Sequence, residues 1–469
     1  MNNNLNFIPQ FFSELVSLAP RFAVLNRELQ TLHVQSHRPE DLITLPLAAT
    51  QAMHFFNLKE GDLILLNDPS CGGLGPGDLT WITLVQGLVI SFRKSHPTSW
   101  TTSLKREDEG LRIPPTPLRM DGVINTSILD ILCQQGIASC RYKDFKNLIL
   151  ESIELSQIIS ERVSRALNHQ AVILDKNKQK NYFESSRKYF LKKFLDRIHG
   201  ETRIELPLRT GETLKLKVSC EEVGLKIDLS GTTQGQKLFI PESWTQSAVI
   251  AFVMNQVNET ELFNQGSFSA INLFKPQQSF LSSKSQNSLS SAQHLGLPTI
   301  WSALHFAFYD LLPKSMPAPH DYFPLQLQWH NDESTHEFIL PSGTGAFRDK
   351  ESWPGYLLNR DTPLDLGVFS RSNNFEFLDL HERKLSSQRT SLNGGPGWSL
   401  KLKARSDSQI HWFGNNLKFP WKFSKTLIAI EPGEILINGE ARDEVIGKAD
   451  LKADDELILN SGQGAGFVA

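Results

Sequence analysis

The stretch LLNDPSCGGLGPGDLTWITLV, Leu65–Val85, carries the clearest structural pattern in the first part of the chain. Apolar residues lead into Asn67-Asp68-Pro69, a glycine-rich run follows, and Asp78 stands before a second apolar run. Short apolar runs bounded by Gly, Pro, Asn and Asp are typical of strands joined by a loop. We expect the Asn67 and Asp68 side chains to bond their own backbone, which makes this turn structural. The stretch therefore predicts a strand, a glycine loop and a second strand.

The small residues of this loop have structural interpretations. Gly72 and Gly73 are predicted to supply backbone conformations with positive φ, which glycine adopts without steric cost. Cys71 lies in the same loop, but no histidine is near it in the sequence. A small residue that fits a tight turn is therefore favoured over a nucleophile at this position.

Helical periodicity dominates the chain after this loop. The chain from Ile137 to His199 has no Gly and no Pro, and its apolar residues recur at helical spacing. Because this run is too long for a typical single helix, it predicts two helices with a break near Asp175–Asn181. The basic residues within Lys176–Lys193 are predicted to form a solvated face. Upstream, a further helix is predicted around Leu47–Asn57.

The period changes to two after Gly200. Apolar and polar residues alternate from Leu214 to Leu229, which predicts a β-hairpin with one wet face. Helix is predicted again near Gln246–Gln256 and Trp301–Leu312. The Ser/Gln-rich stretch Ser279–Ser291 predicts a flexible loop. Since the last third is rich in strands and no internal repeat is present, the fold class is predicted to be α+β.

Composition limits the class of protein. The chain has 469 residues, which suggests two or three folding units or one large mixed domain. A net charge of −3 gives no general attraction to nucleic acid or anionic membranes. The four cysteines lie far apart without a CxxC pair, which argues against structural zinc or disulfides and indicates a reducing compartment. Without a signal peptide or a long apolar run, we predict a cytoplasmic protein that does not span a membrane.

Whole phrases of the sequence carry a more specific signal. Eight of them, in order along the chain, resemble phrases of the hydantoinase B/oxoprolinase family. They are GDLILLNDPSCGGLGPGDLTWITLV, DEGLRIPP (108–115), IDLSGTTQ (227–234), NQGSF (264–268), SGTGAFRD (342–349), NNFEFLDL (373–380), NGGPG (393–397) and SGQGAGF (461–467). The resemblance extends from about Phe22 to the end of the chain. Each phrase alone is weak, but their common order indicates homology.

The resemblance implies an architecture. It implies a large mixed α/β fold of the hydantoinase B type, with a central helical pair and a strand-rich C-terminal half. We expect residues 1–200 to form an N-terminal half that contains the glycine loop and the helical pair. Residues 201–469 are expected to form the C-terminal half. Together they would build one unit around one cleft, so the linker near Gly200 is not expected to act as a free hinge.

The resemblance also implies a class of function. Members of the family are subunits of ATP-dependent enzymes that open cyclic amides such as hydantoins, 5-oxoproline or lactams, and relatives carboxylate ketones. An A-type subunit is understood to activate the amide with ATP, and the B subunit to attack it with metal-bound water. Such a division is chemically sound, because a bound metal lowers the pKa of water towards neutrality. This chain has no phosphate-binding loop motif, so any ATP would act through a hydantoinase A-type partner.

The family's metal ligands map incompletely onto this sequence. By resemblance Asp78 keeps a carboxylate ligand, whereas Gly75 stands in place of a loop histidine and Arg21 in place of an early aspartate. His96 falls near a later ligand. Asp78 can equally be a turn or helix-cap acid, and a surface histidine is the favoured interpretation of His96. Two ligands make a poor zinc or manganese site, so we expect weak divalent metal binding or none, with Arg21 opposing a dication or pairing with Asp78.

Three interpretations of function stay open at this point. One is the hydrolytic subunit of an ATP-dependent cyclic amide hydrolase with a largely degraded metal site. Another is a catalytically inactive homologue that acts as a scaffold. The third is a small-molecule binder that uses the old cleft. The glycine turns Gly394–Gly397 and Gly462–Gly466 are interpreted as tight corners in preference to binding loops.

Overall fold

Helices and strands alternate in clusters along the chain. The computed structural model describes residues 12–95, 109–140, 145–169, 175–195, 197–198, 200–221, 224–235, 237–257, 262–283, 289, 291–312, 316–319, 322–330, 335–346, 366–383, 390–392, 394–417, 432–464 and 467–468. The α-helices are α1 (Ser13–Leu18), α2 (Asp41–Phe55), α3 (Thr126–Cys140), α4 (Phe145–His169), α5 (Lys176–Leu195), α6 (Glu242–Asn255), α7 (Gln265–Phe268), α8 (Leu297–Leu311) and α9 (Gly367–Ser372).

The strands form several separate sheets. They are β1 (Phe22–Leu25), β2 (Thr31–Gln35), β3 (Leu63–Leu66), β4 (Asp78–Val85), β5 (Leu88–Ser95), β6 (Thr116–Met120), β7 (Val123–Ile124), β8 (Glu201–Pro207), β9 (Thr213–Glu221), β10 (Gly224–Asp228), β11 (Ile271–Phe274), β12 (Leu325–His330), β13 (Thr335–Leu340), β14 (Phe375–Glu382), β15 (Thr390–Leu392), β16 (Trp398–Ala404), β17 (Ser408–Phe413), β18 (Glu434–Ile437), β19 (Glu440–Arg442), β20 (Ile446–Leu451), β21 (Glu456–Asn460) and β22 (Phe467–Val468). The α+β class is confirmed.

The first sheet has seven antiparallel strands in the order β2-β1-β5-β4-β3-β6-β7. The predicted strand, glycine loop and strand are its β3 and β4. Successive side chains of β3 point to opposite faces. Leu63 and Leu65 enter a core beneath α4, whereas Ile64 and Leu66 enter the core beneath α2. Burial on both faces explains why this strand is a continuous apolar run and does not alternate.

The second sheet has the order β11-β10-β9-β8. The predicted hairpin is confirmed as the antiparallel pair β9 and β10, and the leucines of β9 are buried while Lys215 is exposed. β11 adds to β10 in parallel. Helices α6 and α8 are confirmed near the predicted segments. The core beneath them contains Phe190 and Phe194 from before Gly200, and Leu214 and Trp244 from after it. The residues on both sides of Gly200 therefore share one core.

A third core lies within the C-terminal strands. The sheets β13-β12-β17-β20 and β14-β16-β21-β18-β19 supply its residues. Trp329 is at its centre, with ring centroids 5.5 Å from Phe369 and 5.2 Å from Phe375. Beside this core the glycine turns are joined to one another by backbone hydrogen bonds. The amide of Gly343 donates to the carbonyl of Gly462, and the amide of Gly464 to that of Gly395. These bonds support the interpretation of the glycine turns as corners.

Three sequence-based predictions need correction. The two predicted helices are confirmed as α4 and α5, but the break between them ends at Asp175, whose carboxylate accepts bonds from two backbone amides, and α5 begins at Lys176. α2 begins at Asp41 and not near Leu47, since Pro46 lies inside the helix. The flexible loop predicted at Ser279–Ser291 is wrong for the described part, where Phe280 and Leu281 are fully buried. Residues 284–288 and 290 lie outside the description. No described helix is long and apolar enough to cross a membrane.

Candidate functional site

The turn after β3 is held by side-chain bonds. Asp68 accepts a bond from the Ser70 amide at 2.8 Å and caps the short 3₁₀ turn Pro69–Cys71, as predicted. Asn67 acts differently, because its side chain bonds a distant segment and not its own turn. Its Oδ1 accepts from the Ile113 amide at 2.6 Å, and its Nδ2 donates to the Leu111 carbonyl at 2.9 Å. The turn is therefore tied to the segment 111–115, which we call the crossing.

The glycines of the loop lie against neighbouring backbone. Gly72 has a φ of +91°, and a Cβ there would lie 2.5 Å from the Ala48 nitrogen of α2. Gly73 does not have a positive φ, which corrects the prediction. A Cβ at Gly73 would instead meet the carbonyl of Asn67 at 2.0 Å. Gly75 has a φ of +96°, where an L-residue is strained, so an imidazole at this position would require another loop path.

Asp78 is fully buried inside a network of ionic groups. Arg21 donates from Nη1 to Asp78 and also binds Asp41 through Nε at 2.6 Å and Nη2 at 3.0 Å. Arg93 donates to Asp41 as well. Arg38, which is partly exposed, donates to Asp78 at 3.2 Å. The sequence-based alternative in which Arg21 pairs with Asp78 is therefore the observed arrangement, and we call these five residues the ion network.

The sheet register explains why the ion network is needed. Arg21 directly precedes β1, and its carbonyl accepts a bond from the Arg93 amide of β5 at 3.0 Å. The two guanidinium groups therefore come from adjacent positions in one sheet. Two buried like charges at such positions destabilise a sheet unless carboxylates lie between them. Asp41 meets this need from the first turn of α2, where the helix dipole also favours an anion.

Burial and charge oppose each other in setting these pKa values. Burial disfavours ionised Asp78, but Arg21, Arg38 and Arg93 outweigh it and lower its pKa to about 2. Burial is likewise outweighed at Asp41 by Arg21 and Arg93, so the pKa of Asp41 lies well below its usual range. The pKa of Arg21 is raised despite burial, because both carboxylates face it. Asp41, Asp78 and Arg21 are thus charged at neutral pH.

A divalent metal does not fit this arrangement. The oxygens of Asp41 accept bonds from Arg21, Arg93 and Ser36, and those of Asp78 from Arg21, Arg38 and Ser95. A dication would have to displace a guanidinium that already occupies both carboxylates. Within the described ranges no group of three or more His, Cys, Asp and Glu side chains could hold a metal. His96 lies outside them.

Sequence reasoning missed three members of the ion network. Arg38 and Asp41 lie in the HRPED segment, where nothing local distinguishes Asp41 from a helix-start acid or Arg38 from a surface cation. Arg93 is more visible, because a charged residue directly follows the apolar run LVISF in the same strand. A buried strand that contains an arginine requires a carboxylate partner. That signal was available, although it does not say which acid is the partner.

Comparison with known proteins identifies the family. A model of the hydantoinase B/oxoprolinase family matches residues 20–362. The chain belongs to this family. Comparison with curated protein sequences gives no match. The fold resembles that of an ATP-dependent caprolactamase from Pseudomonas jessenii, with a TM-score of 0.77 and 15% identity over 98% of this chain and 88% of that one. It also resembles a nucleotide-free acetone carboxylase, with a TM-score of 0.74 and 12% identity over 99% of this chain and 73% of that one.

Proposed function

We propose that this member of the hydantoinase B/oxoprolinase family is a B-type subunit that works beside an ATP-binding A-type partner on cyclic amides, without itself hydrolysing them through a metal. The observation that supports this most is the Arg21 guanidinium between Asp41 and Asp78. It binds the carboxylate of Asp78, the residue by which the resemblance connects this chain to the family's metal site. A guanidinium is permanently charged, so it does not exchange readily for a dication.

The ion network supplies order and not chemistry. Asp41 and Asp78 are fully buried and ionised, and their oxygens are already engaged by arginines. A general base needs a lone pair that reaches a proton on the substrate and a pKa near the working pH. Asp78, with a pKa of about 2, meets neither condition. The network therefore fixes the loop 67–77 and the start of α2 relative to each other.

The partner follows from the chemistry of the family. A cyclic amide is a poor electrophile that phosphorylation by a nucleotide can activate, and this chain has no phosphate-binding loop motif. The caprolactamase that this fold resembles is ATP-dependent. We therefore propose that an A-type subunit binds ATP and the amide, and that this chain contributes its fold to the complex.

Metal analysis and a turnover assay test the proposal together. The chain is purified without chelator, alone and with the A-type subunit from the same genome, and zinc and manganese are measured by mass spectrometry. We expect metal far below one ion per chain. With the partner and ATP, we expect no turnover of hydantoin, 5-oxoproline or caprolactam that depends on added metal. One zinc or manganese ion per chain together with hydrolysis would overturn the non-catalytic assignment. Failure to co-elute with any A-type subunit would overturn the assignment of the partner.

A further inference from the structure

A groove of about 540 Å³ lies away from the ion network. Its walls come from α2, α6 and α7, and its floor from β11. The α2 residues that border it, among them Ile43, Leu47 and Thr50, lie on a different stripe from Leu45 and Ala48, which pack on the first sheet. We call this groove the β11 slot. Its size is within the range of a specific binding site.

The β11 slot lies along the edge of a strand. Successive side chains of a strand point to opposite faces, so a cavity against one face touches every second residue. The slot is instead bordered by five consecutive residues, 271–275. β11 is also the outermost strand of its sheet, with β10 on one side and no described strand on the other. The open edge of β11 therefore faces the slot.

The backbone groups that face the slot follow from the register. The Leu225 amide donates to the Ala270 carbonyl, and the Leu229 amide to the Phe274 carbonyl. In a parallel ladder alternate residues bond to the neighbour, so Asn272 and Phe274 point towards β10. The N–H and C=O groups of Ile271 and Leu273 then point outward. They have no hydrogen-bond partner among the described residues.

The side chains around the slot are mostly apolar, with a few polar groups among them and no net charge. The carboxamides of Gln246, Gln265 and Asn272 border it, and none of them has a partner in the described part of the chain. Lys275 also borders it, but its Nζ lies 2.6 Å from the Glu242 carboxylate, which neutralises it. The slot thus offers hydrogen-bond donors and acceptors without attracting either sign of charge.

We propose that the β11 slot binds an extended, uncharged peptide segment of a partner protein, which adds to β11 as a fifth strand. The outward groups of Ile271 and Leu273 are spaced as a neighbouring strand requires, and the free carboxamides would bond the segment's polar side chains. A segment of four or five residues spans roughly 13–17 Å, the length of the edge. A second copy of this chain does not fit, because its own β11 is recessed between helices and two recesses cannot meet.

Hydrogen exchange tests the proposal at single residues. The full-length chain is incubated with the blocked peptide acetyl-TVQVT-amide at millimolar concentration, and exchange is localised by fragmentation mass spectrometry. We expect the amides of Ile271 and Leu273 to exchange at least about tenfold more slowly with peptide. Those of Asn272 and Phe274, already bonded to β10, should change little. The control is the same peptide with methylated backbone nitrogens, which cannot pair with the edge and should have no effect.

A pair of substitutions at Leu273 gives an independent test. Leu273→Pro removes an outward N–H that makes no bond within the sheet, and proline is tolerated on such an edge. Leu273→Val keeps the N–H and serves as the matched control. We expect the proline variant to bind the peptide about tenfold more weakly and the valine variant to bind like wild type. If the proline variant does not fold, the comparison with the methylated peptide still decides.

Three outcomes would overturn the proposal. One is unchanged exchange at Ile271 and Leu273 in saturating peptide. Another is equal binding of the methylated peptide, which would show that the backbone is not recognised. The third is equal protection of both amides by caprolactam, a neutral cyclic amide, which would make the slot a small-molecule site.

Discussion

Replacing Arg21 with methionine tests the ion network most directly. Methionine keeps much of the side-chain length but leaves Asp41 and Asp78 buried without their shared cation. Arg21 makes two bonds to Asp41 and one to Asp78. Removing one partner of a buried ionic group costs about 3–5 kcal/mol. Arg93 and Arg38 remain, so we expect a loss within this range and not above it. That is a large part of the roughly 5–15 kcal/mol that holds a typical domain folded.

Urea unfolding followed by tryptophan fluorescence measures this loss. Trp81, fully buried on β4, reports on the sheet that contains the network. The matched control is Arg203→Met, because the Arg203 side chain is 73% exposed and pairs with Glu201 at 3.1 Å. Exposed pairs of this kind contribute about 0–1 kcal/mol. An Arg21→Met variant that loses no more free energy of unfolding than the control would refute the assigned role of the network.

The pH dependence gives a second readout with a definite sign. In the wild type the pKa of Asp78 is lowered to about 2, below an unfolded value of about 3.9. The stabilisation from this pairing is therefore present above about pH 4 and is lost as the pH falls towards 2. In Arg21→Met the pKa values of the buried carboxylates should rise. The loss in free energy of unfolding relative to wild type should therefore be largest near pH 7 and should shrink on acidification. A loss that stays constant between pH 7 and pH 3 would contradict this electrostatic origin.

Three further predictions concern the loop and the nucleotide. Gly72→Ala should destabilise the protein by more than Gly61→Ala, because both glycines have positive φ but only a Cβ at Gly72 would meet the Ala48 nitrogen of α2. Thermal unfolding compares the two variants, and equal melting temperatures would contradict the close packing. Asn67→Ala should lower the free energy of unfolding by about 1–3 kcal/mol, because the Ile113 amide loses its bond to Oδ1. Urea unfolding measures this loss, and an unchanged free energy of unfolding would mean that the crossing is held by other contacts. The isolated chain should not bind ATP in calorimetry, and micromolar binding would show a nucleotide site that the sequence does not reveal.

Local sequence patterns were enough to predict many of the secondary-structure elements and the family. Glycine, proline and hydrophobic period act over a few residues, so the strand–loop–strand around Asp78 and the hairpin β9–β10 were predictable. The eight collinear phrases indicated the hydantoinase B/oxoprolinase family without any structure, and the family match confirms it. Asp68 was also assigned correctly, because its bond to the Ser70 amide is local.

The surroundings of Asp78, in contrast, depend on packing between distant parts of the chain. Arg21, Asp41, Asp78 and Arg93 come from separate elements, and their charges balance only when β1, β4, β5 and α2 are packed together. Asn67 likewise bonds a crossing far along the chain. No local pattern encodes such a contact, because the free energy of a buried charge depends on which distant group the fold places against it. For that reason the sequence could indicate missing metal ligands, whereas the fold showed that a guanidinium holds both carboxylates.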